Sequence, residues 1–273
     1  MFTETLRSQD PIFDKAEGGS GAFGDLPEWN LDDLYPSTDG PEITRDLGWL
    51  KGECAAFATD YEGKLAALDA AEMLTCIQRY ERIQGIAGRI MSFAGLRYYQ
   101  NTIDADRAKF MSDMQGAITD MSTPLVFFSL EMNRIEDAVL NGLIAANADL
   151  ARYHPVLDRM RAMKPYQLSD ELEKFLHDQS VVGATAWNRL FDETTAAMTF
   201  DVGGETLNLE STLNLLTDQD RAKREQGARA VAKGFGDQLP LFARITNTLA
   251  KEKEIEDRWR HLPTPQAGRH LAN

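Results

Sequence analysis

The sequence is short of nearly everything that would announce chemistry. It has two cysteines, Cys54 and Cys76. That is too few for a disulfide-stapled secreted fold, and neither lies in a C-x-x-C or metal-binding spacing, so both read as free, buried thiols. Positive charge is scarce: 29 Lys plus Arg stand against 43 Asp plus Glu, a formal net charge of -14 that repels nucleic-acid phosphate. No apolar run approaches a membrane span, and Leu125 to Phe128 is typical of the longer ones. Met1 to Asp10 lacks the continuous apolar stretch of a secretory signal. These absences exclude a membrane protein and a nucleic-acid binder, and they imply a cytoplasmic address.

What is present is helical patterning. After a glycine-rich stretch with Gly18, Gly19, Gly21 and Gly24, read as a tail over 1–25, apolar residues recur at spacings of three and four. Met73, Ile77, Tyr80, Ile83, Ala87, Ile90 and Ala94 form one stripe, with Gly85, Gly88 and Gly95 expected to leave room for a close neighbour. Met111, Met114, Ile118, Met121, Leu125, Phe128 and Met132 form a second, read as core rather than as a methionine-lined binding groove. A turn around Asn101 to Asp106 is too short to do anything but fold the two back antiparallel, giving a long helical hairpin over about 70–134. Pro124 should kink the second helix or break it near Thr123.

Shorter helices are expected over Glu136 to Ala146, Ala151 to Met163 and Asp170 to Asp178. The pattern then changes to period two: Met198, Phe200 and Val202, a Gly203-Gly204 turn, then Leu207 and Leu209 predict a β-hairpin near 198–209. A polar helix should follow Thr217, with Asp218 and Asp220 in its first turn and its end near Gly234. A last one should carry Leu241, Ile245, Leu249, Glu252, Ile255 and Trp259 on one side and stop before Pro263 and Pro265. The fold class is therefore mainly α: a multi-helix, bundle-like domain with one small hairpin, which lies in a part spanning about 180–273.

A search for catalytic groups finds none. His154, His177, His261 and His270 are too far apart in sequence for H-E-x-x-H, the helical spacing that sets two imidazoles and a glutamate around one cation. Glu173 and His177 are four apart, whereas bundle metal sites use Glu-x-x-His. There is no G-x-S-x-G elbow and no phosphate-binding glycine loop. Arg221, Lys223, Arg224, Arg229 and Lys233 cluster on one helix, but Asp218, Asp220 and Glu225 interrupt them, as on a solvated helix face. Trp29, Trp49, Trp187 and Trp259 are expected to anchor helix contacts.

Three ordered markers nevertheless carry a resemblance. The first is Leu26-Pro27-Glu28-Trp29-Asn30-Leu31-Asp32-Asp33-Leu34-Tyr35; the second is Ala186-Trp187-Asn188-Arg189-Leu190 leading into the hairpin at Thr199 to Leu209. The third runs from Asp220-Arg221 through Arg229-Ala230 and Asn247 to Lys253 to the closing Arg269-His270-Leu271-Ala272-Asn273. In this order they resemble the amino-terminal, helical part of the oligoendopeptidase F family of thimet-oligopeptidase-like zinc metallopeptidases. The resemblance implies a cytoplasmic peptidase that cleaves short peptides in a channel, with zinc held by H-E-x-x-H and a downstream glutamate. None of those ligands maps onto a residue here, so no catalytic or metal residue is assigned and the substrate-binding residues stay unknown. The chain is then expected to be the first half of such an enzyme, spanning 26–273 without the catalytic lobe, inactive and zinc-free alone, and partnered by that lobe. A complete, non-catalytic helical scaffold or peptide-binding module is the alternative, and a self-associating bundle is a third reading.

Overall fold

The computed structural model describes residues 29–272, so the tail read over 1–25 lies outside the described residues. Helix α1 (Pro41–Tyr61) begins on a proline, whose missing N–H costs nothing in a first turn. Helix α2 (Ala70–Gln100) opens with a reciprocal cap. Asp69 accepts from the Ala71 and Glu72 N–H groups at 2.9 Å, and Glu72 accepts from the Asp69 N–H at 3.0 Å. Helix α3 (Ala105–Ser122) is capped by Asp104 and runs antiparallel to α2. Phe110 packs edge-on to Phe93 at 6.0 Å, and Arg107 donates to the Arg97 carbonyl near the turn. At Pro124 the helix breaks: a 3-10 turn, Thr123–Leu125, leads into α4 (Phe127–Arg134).

The core lies where α1, α2 and α4 meet. Phe57 is fully buried and touches Tyr61, Tyr80, Phe127 and Phe128 at ring separations of 4.8 to 6.0 Å, while Tyr80 stacks on Phe128 at 4.0 Å. Cys54 and Cys76 are free and buried in the same core. Burial raises the two thiols to about 11 and about 12. The chain enters this core at Tyr35, whose hydroxyl donates to buried Asp46 at 2.8 Å beneath the Arg89 guanidinium. Burial and the Asp46 carboxylate push the Tyr35 phenol up to about 12.

Helices α5 (Asp137–Ala146), α6 (Ala148–Ala151) and α7 (His154–Arg161) close one end of the core. Next come α8 (Asp170–Gln179) and α9 (Ala184–Ala197). Strands β1 (Thr199–Val202) and β2 (Glu205–Asn208) pair antiparallel with Val202 opposite Glu205. Gly203 and Gly204 turn the hairpin at φ 65° and 91°, values that side chains with a Cβ rarely adopt. Helices α10 (Leu209–Asn214), α11 (Arg221–Asp237), α12 (Leu239–Arg260) and α13 (Ala267–Ala272) complete the chain. Met198, Phe200 and Ala230 form a second, small core between the hairpin and α11. Among the described residues no helix is long and apolar enough to cross a membrane.

Several expectations are corrected. No residue of α3 is fully buried: Met114, Ile118 and Met121 pack half-covered against the core in which Leu125, Phe128 and Met132 are buried, Ile118 and Met121 also border an open cavity, and Met111 of the expected stripe lies outside that core. Gly85 and Gly88 face open space, and a Cβ on Gly95 would meet only Tyr99 at 4.0 Å. Close approach is needed instead at Gly234 of α11, where a Cβ would stand 2.5 Å from the Phe200 ring. The helix expected over Ala151 to Met163 is split, and α7 restarts at His154 with Pro155 in its first turn. Leu209 begins α10 rather than ending a strand. Asp220 is the cap of α11, with Asp218 before it, and the helix runs on to Asp237. Trp29 and Trp259 are exposed rather than anchoring contacts.

Helix α12 is docked onto α8 by charge. Arg260 donates to both Glu173 oxygens at 2.6 and 2.9 Å, with side chains only 11% and 14% exposed, and also to Glu256 at 2.7 Å. Burial alone would raise the Glu173 carboxyl, but bonds from Arg260 and the Leu168 N–H together hold it below the usual carboxylate range.

Phe57→Ala should cost about 3–5 kcal/mol of stability in urea denaturation, since it empties the centre of an aromatic cluster, whereas Phe175→Ala at an exposed position should change little. Arg260→Ala, which strands Glu173, should cost about 3 kcal/mol by the same measurement. With a depressed folded-state value, the stabilisation from Glu173 is complete above its ordinary pKa of about 4.3 and is lost as pH falls through the lower value. The stability gap between the unaltered chain and Glu173→Gln should therefore narrow below about pH 4.

Candidate functional site

Helix α12 separates two concavities. On one side a groove of about 990 Å³ runs between α8, the turn into α9, and α12. Its surface is built from Leu172, Phe175 and Leu176 at helical spacing on α8, Val182 and Trp187 around the start of α9, and Ile255 and Trp259 on α12. Much of it is bare: Phe175 and Trp259 are 59% and 53% exposed, and Val182 is 68% exposed. No residue of α8 or α9 is fully buried, and in the turn between them only Gly183 is.

On the other side of α12 is a polar cavity of about 590 Å³ between α1, α2 and α3 and the α8–α9–α12 layer. Its groups are engaged with one another. Ser122 and His177 Nε2 share a hydrogen bond of 2.9 Å, and beyond the cavity lining Thr123 donates to Asp178 and Arg189 of α9 reaches Gln115 of α3 at 2.5 Å. Glu252 accepts from the Ala184 N–H at 3.0 Å, where a carboxylate faces the positive end of α9. Gly183 makes room for this cap, because a Cβ there would lie 2.4 Å from the same Glu252 oxygen. Burial raises the Tyr80 phenol at the cavity wall, so it stays a neutral donor at ordinary pH.

The residues weighed from sequence are dispersed. His154 lies 3.3 Å from Asp158 on α7, His177 is held by Ser122, His261 is the left-handed cap of α12 at φ 56°, and His270 is on α13. Glu173 serves Arg260, so Glu173 and His177 form no joint site. The described residues contain no group of three His, Cys, Asp or Glu side chains placed to hold a metal ion. The groove was missed because each of its helices looks ordinary alone. The signal was the apolar triplet Leu172, Phe175, Leu176 together with a last stripe still apolar at Ile255 and Trp259.

A family model described as Oligopeptidase F matches residues 131–200, from the end of α4 through α9 to the start of β1. Oligopeptidase PepF of Bacillus subtilis (strain 168) is 24% identical over 232 residues, covering 82% of this chain and 34% of that protein. Group B oligopeptidase PepB of Streptococcus agalactiae serotype III (strain NEM316) is 20% identical over 258 residues, covering 90% of this chain and 41% of that protein. The chain thus spans well under half the length of the curated relatives it matches. Oligoendopeptidase-F from Enterococcus faecium shares the fold, with a TM-score of 0.72 at 18% identity over 89% of this chain and 47% of that one. The chain is thus similar in sequence to oligopeptidases of this kind over part of their length, and it shares the fold of oligoendopeptidase-F.

Proposed function

We propose that this chain is the amino-terminal portion, over 26–273, of a zinc-dependent metallo-oligopeptidase that hydrolyses short peptides, and that its helices form part of the wall of the substrate channel. The observation that carries the reading is the agreement of family model, relatives and fold on peptidases two to three times longer than this chain. The two concavities flanking α12 support a cavity-forming role. The donor set here does not fit a zinc ion, because no three ligating side chains converge among the described residues. The proposed zinc is therefore held elsewhere in the parent, and no catalytic step is assigned to residues of this chain. The working address of the parent is taken to be the cytoplasm.

One observation favours a second reading. An exposed apolar groove of this size can hold an extended or helical peptide without a metal, as in a peptide-binding scaffold.

The full-length gene product, purified and assayed for zinc, should contain one equivalent and cleave a quenched fluorescent peptide, with cleavage lost on chelation and restored by zinc. The 273-residue chain alone should do neither. A full-length product that binds the peptide without zinc or turnover would establish the scaffold, and turnover with stoichiometric zinc in the 273-residue chain would refute the division of labour.

A further inference from the structure

Helix α12 turns one continuous face to the apolar groove, through Arg244, Thr248, Lys251, Ile255 and Trp259 at spacings of four and three. Three contacts fix what lies along that face. Arg260 is bonded to Glu173 of α8, Glu252 accepts from the Ala184 N–H at the start of α9, and Phe242 packs on Phe191 of α9 at 5.5 Å. Helix α9 therefore runs back along α12 toward Phe242, and α8 flanks the other end. The two ends differ in chemistry. At the α8 end the lining is apolar and bare, with Phe175, Ile255 and Trp259 all exposed. At the α9 end it carries Arg244, Asn247 and Thr248, and among the described residues none of these three side chains has a hydrogen-bond or ion-pair partner. The other charges of the groove are engaged: Lys251 pairs with Glu254 at 2.5 Å, Glu252 caps α9, and Glu256 accepts from Arg260.

We propose that the groove binds a long-chain aliphatic carboxylate, a free fatty acid, with its head on Arg244 and its chain laid along α12 toward Trp259. This needs neither zinc nor turnover, so it stands independently of the peptidase reading. Charge selects the occupant and its direction. An anionic head matches the guanidinium of Arg244, with Asn247 and Thr248 beside it to donate to its oxygens, and it is repelled from the stretch further along where Glu252 and Glu256 lie. Hydrogen bonding disfavours an extended peptide. The walls are helices whose backbone N–H and C=O groups are already bonded within them, so a peptide laid here leaves much of its own backbone without partners. A hydrocarbon chain has only its head to satisfy. Length agrees as well: Arg244 and Trp259 stand about 22 Å apart along the helix axis, the reach of an extended palmitate. The volume of about 990 Å³ is ample for such a ligand.

Displacement of a fluorescent fatty acid from the 273-residue chain tests the assignment. Dodecanoate should compete saturably at one per chain, palmitate more tightly and octanoate more weakly, in step with the length of chain laid on the groove. Dodecanol, which lacks the charge, should compete at least about fivefold less well than dodecanoate. Arg244→Gln should erase that difference by weakening dodecanoate alone, whereas Phe175→Ala should weaken dodecanoate and dodecanol alike. Lys233→Gln, at a cation on α11 outside the groove, should change neither. All three positions are exposed, so each variant should keep the circular dichroism of the unaltered chain. Equal competition by dodecanoate and dodecanol, undiminished dodecanoate binding in Arg244→Gln, or uptake that never saturates would overturn the assignment. So would an end-blocked peptide of leucine and phenylalanine that competes as well as dodecanoate, the result expected of a peptide-binding scaffold.

Discussion

A helix with an apolar stripe must cover that stripe with something, and this requirement is met unevenly along the chain. In α1, α2 and α4 it is met internally. Phe57 sits among four other aromatic rings, and Ile83, Ile90 and Leu50 are buried in the same core. In α8, α9 and α12 it is met by half, because each helix packs against neighbours on one side and leaves a flank open to the groove. At about 25 cal/mol per Å² of apolar surface, leaving such a flank in water forgoes several kcal/mol. Stability is therefore concentrated in the amino-terminal bundle, and the layer that forms the groove is held largely by polar bonds.

Those bonds explain how a layer with so little buried surface keeps its place. Arg260 clamps α12 to α8 through Glu173, with the Tyr166 carbonyl and Glu256 completing its partners. Arg134 pairs with Asp170, and Lys174 reaches Glu62 at 3.0 Å, so α8 is also tied to α4 and to the end of α1. Arg161 donates to the carbonyls of Met132 and Ile135, fixing the turn that leads out of the core. Charge-assisted bonds of this kind set geometry more than they set energy.

The sequence made the elements visible and left their surroundings dark. Period-four apolar residues, Pro124 and the Gly203-Gly204 pair are local signals, and they correctly place a helix pair, its break and a hairpin. Tyr35, from the first family marker, is buried at 1% exposure against Phe93, so that motif has a packing basis. What failed depends on partners. Gly85 and Gly88 looked like contact glycines but face open space, while the glycine that does need contact, Gly234, sits on a helix read as polar. Met111 looked like core and is only half-covered, because periodicity names the apolar face and not what lies across from it. The candidate groove was illegible for the same reason, since it is a property of three helices separated by up to about eighty residues.

Helix α12 belongs to both concavities at once. Its Glu252 and Glu256 line each of them, with Ile255 and Trp259 turned to the apolar side. A helix is stiff along its length, so the two flanks cannot move independently. Any roll of α12 that seats Trp259 more deeply swings Glu252 relative to the first N–H of α9 and shifts Arg260 against Glu173. The two sides of the helix are thereby geared together, and a load applied on the apolar flank is transmitted to the polar one as torsion.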